Sequence, residues 1–542
     1  MKVLIDFFLT RGALSWQRLL WMGSIAAVAN TLVLTIINTA AAHAAEGAGL
    51  GALLAAFIAT ELVFVWSQRY ILNAVLGEVG KIIHRYRQQQ VERVRHCDLD
   101  ALERIGMARI YDAMTRQTRV LTSTAGTIAL GIQSIVVVAF ALFYLAWLNL
   151  AALVLTLAIL GVGGLFYAKR MRAARAVSVQ IRAGENELFD SMTDLSDGFK
   201  EVRLNVQRSA DLAVFIERIS RRVLDLNNSI EVRLTEMFVF FHFIFFGTAA
   251  AIVFLMPGLG FVRSEELLKV ITVILFLLGP IFSISGAAPA IANASVSCDV
   301  MLDLERRLDE AARGSRATPE LLRRFQRIEL RGAVYHHRQA DGTPGFQVGP
   351  LDFSLRAGET VFISGGNGSG KSTALRLLTA LYMPQEGELT VDGDVIGPER
   401  REAYQNLFST VFSDFHLFQR TFGLADVAPE LVGEWLARVE IADKTGLHDG
   451  RFDTIKLSTG QRKRLALVVA ALEDRPVYVF DEFAADQDPG FRRKFYDEIL
   501  PALKAAGKSI VAVTHDERYF DRADRHLVMQ DGRFVDGGAN HV

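Results

Sequence analysis

The sequence predicts a multidomain membrane protein: an all-α domain of six transmembrane helices followed by an α/β domain of the P-loop class. Three observations predict it. Long stretches without a charged residue fill the first half of the 542-residue chain. Lysine and arginine concentrate in alternate loops between those stretches. The second half carries a strand, a glycine loop and a helix in direct succession.

A membrane-spanning helix takes about 20 mostly apolar residues, because the hydrocarbon layer is roughly 30 Å thick. Trp21–Ala45 has no acidic residue, lysine or arginine, and Gly47–Trp66 has only Glu61. Val120–Ala168 is uncharged and too long for one span, so it is predicted as two helices joined by a tight turn near Trp147–Asn149. Met237–Val262 and Val270–Cys298 complete six spans. Ala42-His43-Ala44 resembles a signal-processing site, but the apolar run is too long and begins too far from Met1, so the segment is read as a span.

Lys2, Arg11 and Arg18 precede the first span. The loop between the second and third spans holds Lys81, Arg85, Arg93, Arg104 and others, and the loop between the fourth and fifth holds Lys169, Arg170, Arg182, Lys200 and Arg203. The remaining loops are nearly free of basic residues, which predicts both termini on the cytoplasmic side. Both basic loops show helical apolar spacing and are expected to prolong the spans into the cytoplasm. Their tips, Asp98–Ile105 and Thr193–Lys200, are candidates for docking on a soluble domain. Glu61 either reaches headgroups near the end of its span or lines an interior cavity.

The 51% apolar content averages two unlike halves. A net charge of −1 gives no reason to expect a nucleic-acid partner. Cys97 and Cys298 are the two cysteines, both on the predicted cytoplasmic side, so no disulfide framework is expected. The composition places the membrane domain at 1–310, a linker at 311–325 around Gly314-Ser315-Arg316-Ala317-Thr318-Pro319, and the soluble domain at 326–542.

In that domain Val361–Ser364 reads as a strand leading into Gly365-Gly366-Asn367-Gly368-Ser369-Gly370-Lys371-Ser372-Thr373 and then a helix over Ala374–Leu381. Glycines let backbone N–H groups turn inward around phosphates, and the helix N-terminus adds its positive dipole end. Lys371 is expected at the β- and γ-phosphates of ATP, and Ser372 at Mg²⁺. Val477–Phe480 reads as a buried parallel strand ending in Asp481-Glu482. Asp481 suits Mg²⁺, directly or through water, and Glu482 suits a general base for the attacking water.

Leu457-Ser458-Thr459-Gly460-Gln461 resembles the signature of ABC ATPases with Thr459 in place of a glycine. His515, at the end of the strand Ser509–Thr514, resembles their switch histidine. The segments "FISGGNGSGKST", "VFSDFHLF", "LSTGQRKRLAL" and "FDEFAADQDPGFRRKFYDEILPALKAAGKSIVAVTHDERYFDRADR" resemble the bacterial cyclic-peptide and siderophore exporters, a group that includes the pyoverdine, syringomycin and microcin exporters. The resemblance covers about the last 200 residues by motif and the membrane half by layout. It implies an ABC half-transporter that hydrolyses ATP, works as a dimer (a homodimer, or a pair with a sister chain), spans the lipid bilayer, and exports a peptide or siderophore cargo.

It also implies roles. Ser458, Gly460 and Gln461 of one chain, with Asp488, are expected to complete the ATP site of another, and His515 to hold the γ-phosphate. Two positions depart from the family pattern. The glutamine that usually links Mg²⁺ to the membrane domain is replaced by Ser413, and the aromatic that stacks on adenine falls on His337, with Tyr335 as its neighbour. A lipid or multidrug exporter would share this architecture. An importer usually divides the two domains between chains, and a soluble ABC protein would lack the spans.

Overall fold

The computed structural model describes residues 4, 6–8, 16–45, 50–311, 321–338, 343–424 and 426–535. The chain divides into two compact units, Met1–Tyr86 with Thr115–Met301, and Arg87–Met114 with Leu302–Val542. The second unit takes in the tip of the first basic loop. Most of the linker expected at 311–325 lies outside the described residues.

Among the described residues, six helices are long and apolar enough to cross a membrane. They lie in α1 (Trp16–Ala45), α2 (Gly51–Arg95), α4 (Met107–Leu148), α5 (Leu150–Asp197), α7 (Val206–Leu255) and α8 (Ser264–Ala311). The 45 residues of α2, rising about 1.5 Å each, run roughly twice the hydrocarbon thickness, so the prolonged spans expected from the sequence are present. Two short helices stand at the loop tips, α3 (Leu99–Ile105) and α6 (Phe199–Arg203). The first coincides with the expected tip; the second begins near the end of its expected range.

The break at Asn149 follows from its own chemistry. Extended at φ −160°, it ends α4, and its side-chain oxygen accepts from Ala152 N to cap α5. Its amide nitrogen donates to Phe261 O at 2.9 Å. Gly131 brings α4 against α8: a Cβ there would lie 2.2 Å from Ala287 Cβ. Within α8, Pro289 cannot bond the Ser285 carbonyl, and the Tyr167 hydroxyl of α5 donates to it instead at 2.5 Å.

The soluble fold has two sheets. An antiparallel sheet runs β2 (Pro344–Arg356), β1 (Arg327–Arg338), β4 (Glu386–Val391), β5 (Asp394–Val395). The second runs β12 (Arg533–Val535), β11 (Arg525–Gln530), β3 (Thr360–Gly365), β10 (Ser509–Val513), β9 (Val477–Asp481), β6 (Phe408–Val411). A small hairpin pairs β7 (Leu447–His448) with β8 (Arg451–Phe452). Five strands of the second sheet are parallel and β12 is antiparallel to β11. Apolar residues cover both faces, Val361, Val479 and Val511 in one core and Phe362, Phe480 and Ala512 in the other. The pairing of Val513 with both Ile363 and Asp481 aligns the C-terminal ends of β3, β10 and β9. Open α/β sheets bind ligands at that edge.

Candidate nucleotide site

The glycine loop starts where β3 ends. Gly365 has φ 148°, and a Cβ would lie 2.1 Å from the Met529 carbonyl on β11, so no side chain fits. The helix after the loop begins at Lys371, earlier than the expected Ala374, and ends at Leu378. Its first turn is therefore built from Lys371, Ser372 and Thr373, the residues expected from the sequence to face phosphate. Lys371 is buried, and its Nζ donates to the carbonyls of Gly365 at 3.0 Å and Gly366 at 2.9 Å. Ser369 Oγ is buried in the loop without a partner. The loop thus holds a buried ammonium and an unpartnered hydroxyl beside a helix N-terminus, a set that suits a phosphate.

Asp481 ends β9 at 2% exposure. Ser372 Oγ and Ser413 Oγ both donate to its Oδ2, at 3.0 and 3.1 Å, while its Oδ1 is buried without a partner. Two hydroxyls and a carboxylate with one unspent oxygen form a hard oxygen corner, which suits Mg²⁺. The residues present fit the ion, and Ser413 is one of them.

Glu482 follows in a left-handed conformation, φ 50° and ψ 38°, which costs a non-glycine residue about 1–2 kcal/mol. His515 Nε2 and Lys371 Nζ flank its Oε1. Backbone strain of this kind collects at sites that must aim a side chain.

His337 and Tyr335 divide. The His337 ring bonds Thr373 Oγ1 through Nε2 at 2.9 Å, which puts it beside the glycine loop. Burial, with Arg376 nearby, lowers its pKa. Tyr335 does not serve as a base-stacking candidate: it is 3% exposed, stacked on Tyr382 at 4.5 Å, and its hydroxyl donates to Asp100 at 2.8 Å. Its face of β1 turns into the core.

Tyr382 belongs to a cluster that sequence reasoning passed over. It donates to Glu103 at 2.7 Å and accepts from Arg376 at 2.7 Å. Burial, then the Glu103 bond, pushes its phenol up to about 12. Arg401 donates to the Ala380 and Leu381 carbonyls and reaches Asp98. Helix α3 is therefore clamped at three points: Glu103 on Tyr382, Asp98 through Arg401 to the Ala380 and Leu381 carbonyls, and Asp100 on Tyr335 of β1. The acidic run Asp98-Leu99-Asp100-Ala101-Leu102-Glu103 was the available signal.

Ser458 caps the helix Thr459–Glu473 in a capping box with Gln461. The Gly460 carbonyl accepts from Gln487 at 3.0 Å. Asp488 caps the helix Pro489–Lys494 and pairs with Arg464, and its pKa is lowered by the Phe491 amide and then by Arg464. Among the described residues, no hydrogen bond joins Ser458, Gly460, Gln461 or Asp488 to Gly365–Thr373.

The family described as "ABC transporter" matches residues 348–485. The chain is 31% identical over 468 residues to the "ATP-binding protein SyrD" of Pseudomonas syringae pv. syringae, covering 84% of this chain and 82% of that protein. It is 24% identical over 442 residues to the "ATP-dependent lipid A-core flippase" of Pseudomonas aeruginosa, covering 78% and 71%. A bacterial Atm1-family ABC exporter solved with ATP bound shares the fold, with a TM-score of 0.77 at 18% identity over 96% of this chain and 95% of that one.

Proposed function

This chain belongs to the ABC transporter family as an ATP-driven exporter half-transporter, and from that premise we propose that it works as a homodimer in the inner membrane, both termini cytoplasmic, exporting a cyclic or otherwise modified peptide or a siderophore precursor. The observation that carries the hydrolytic part is the convergence of Lys371, Asp481, Glu482 and His515 at one sheet edge, while among the described residues Ser458 and Gly460 make no hydrogen bond to the glycine loop of their own chain. A second chain supplies the missing signature.

In the paired site, Lys371 and the loop amides hold the β- and γ-phosphates, and Ser458 and Gly460 of the second copy close from the opposite side, with Gln461 and Asp488 alongside. Ser372, Ser413 and Asp481 hold Mg²⁺, which when bound offsets charge on the phosphate oxygens. Glu482 orients water and takes its proton, and His515 steadies the γ-phosphate. His337 stacks on the base.

The peptide or siderophore cargo rests on the motif wording of the soluble half. A lipid cargo is the second reading, favoured by the likeness to lipid A-core flippases. ATPase stimulation in lipid discs separates the two. Cyclic peptides or siderophore precursors are expected to stimulate and lipid A-type lipids are not; the reverse pattern replaces the first reading with the second.

A further inference from the structure

We infer that Lys463 is a positioning residue for ATP hydrolysis, gripping the backbone of Glu482 while its charge is matched by Asp486. This rests on the reading of Glu482 as general base. Lys463 lies on the helix Thr459–Glu473, its side chain 5% exposed. Its Nζ donates to the Glu482 carbonyl at 2.8 Å and pairs with Asp486 Oδ2 at 2.7 Å. A buried ammonium persists only where its donors and its charge are both satisfied. Here both partners lie within one short turn, Glu482 to Asp486.

The identity of the first partner carries the argument. Glu482 is left-handed, and a non-glycine residue stays so only where its surroundings over-determine it. Its amide donates to the Val513 carbonyl at 3.1 Å, which ties one flanking peptide to β10. The other flanking peptide is held through its carbonyl by the Ala485 amide at 3.3 Å and more closely by Lys463. With both peptides anchored, the Cα–Cβ direction is set and the carboxylate points at His515. The Gln487–Gly460 bond ties the same turn to the same helix a second time.

Lys463→Gln in the full chain is expected to lower kcat about 10-fold or more, with the KM for ATP within about twofold, since misplacing a reacting group costs turnover rather than binding. Asp486→Asn, at a half-exposed position that does not endanger the fold, is expected to lower kcat less and in the same sense. In a Glu482→Gln background, Lys463→Gln is expected to change the residual rate less than about twofold, because its effect passes through the missing carboxylate. An undiminished kcat in both single variants, or a full tenfold loss in the Glu482→Gln background, overturns the inference. If Lys463→Gln no longer binds ATP, the Asp486→Asn result decides: unchanged kcat overturns it. Wild-type turnover in Glu482→Gln alone instead defeats the assignment of the base.

Discussion

His515 Nε2 stands 3.3 Å from Glu482 Oε1, and Lys371 Nζ lies 3.9 Å from the same oxygen. Three polar heads from three neighbouring elements face one point. Glu482→Gln keeps the volume and removes the base, so ATP binding is expected to survive while hydrolysis slows by about a hundredfold or more. Phosphate release and nucleotide binding on the purified protein check this. Turnover at the wild-type rate moves the base elsewhere, with Asp414 and His515 next in line.

Ser372 and Ser413 share one oxygen of Asp481. Ser372→Ala is expected to raise the Mg²⁺ needed for half-maximal ATPase about tenfold or more, and Ser413→Ala by a smaller factor. Identical Mg²⁺ dependence in Ser413→Ala and wild type removes Ser413 from the metal corner.

Tyr382→Phe keeps the stack on Tyr335 and deletes the hydroxyl between Glu103 and Arg376. The expected cost in stability is about 1 kcal/mol, with basal ATPase little changed and cargo stimulation weakened. Stimulation equal to wild type shows that the hydroxyl carries no signal from α3.

Burial holds the His337 imidazole below its ordinary 6.5. The unfolded chain therefore takes up the proton first on acidification. The stability tied to neutral His337 is complete above about 6.5 and is lost as pH falls through the lower folded value. Between pH 7 and 5 the Tm of wild type is expected to fall more steeply than that of His337→Phe. Parallel curves contradict it.

Glu61 sits half-buried on α2. Glu61→Gln is expected to preserve basal ATPase and weaken stimulation by a cationic cargo. Stimulation unchanged in affinity and extent excludes Glu61 as a cargo contact.

The glycine loop, Asp481, Glu482 and His515 are legible in the sequence because each prolongs an apolar strand, and parallel strands deliver their C-terminal ends to one edge. The roles of Tyr335 and His337 are not: two aromatic rings two residues apart look alike until the irregular register of β1 is known. Lys463 and Tyr382 escape for another reason. Their partners are set by tertiary contact, Tyr382 with Glu103 at a separation of 279 residues, and no local pattern marks them.

The hydroxyl of Tyr167 on the Ser285 carbonyl ties the last span to the fourth at a proline. Where Pro289 interrupts the ladder, the helix is fastened by a side chain from α5 in place of its own amide. A fastening of that kind can be undone and remade by sliding one helix along another, at the cost of a single hydroxyl contact and with no turn unwound. At that point the final span depends on a side chain of the fourth for a bond that its own ladder lacks.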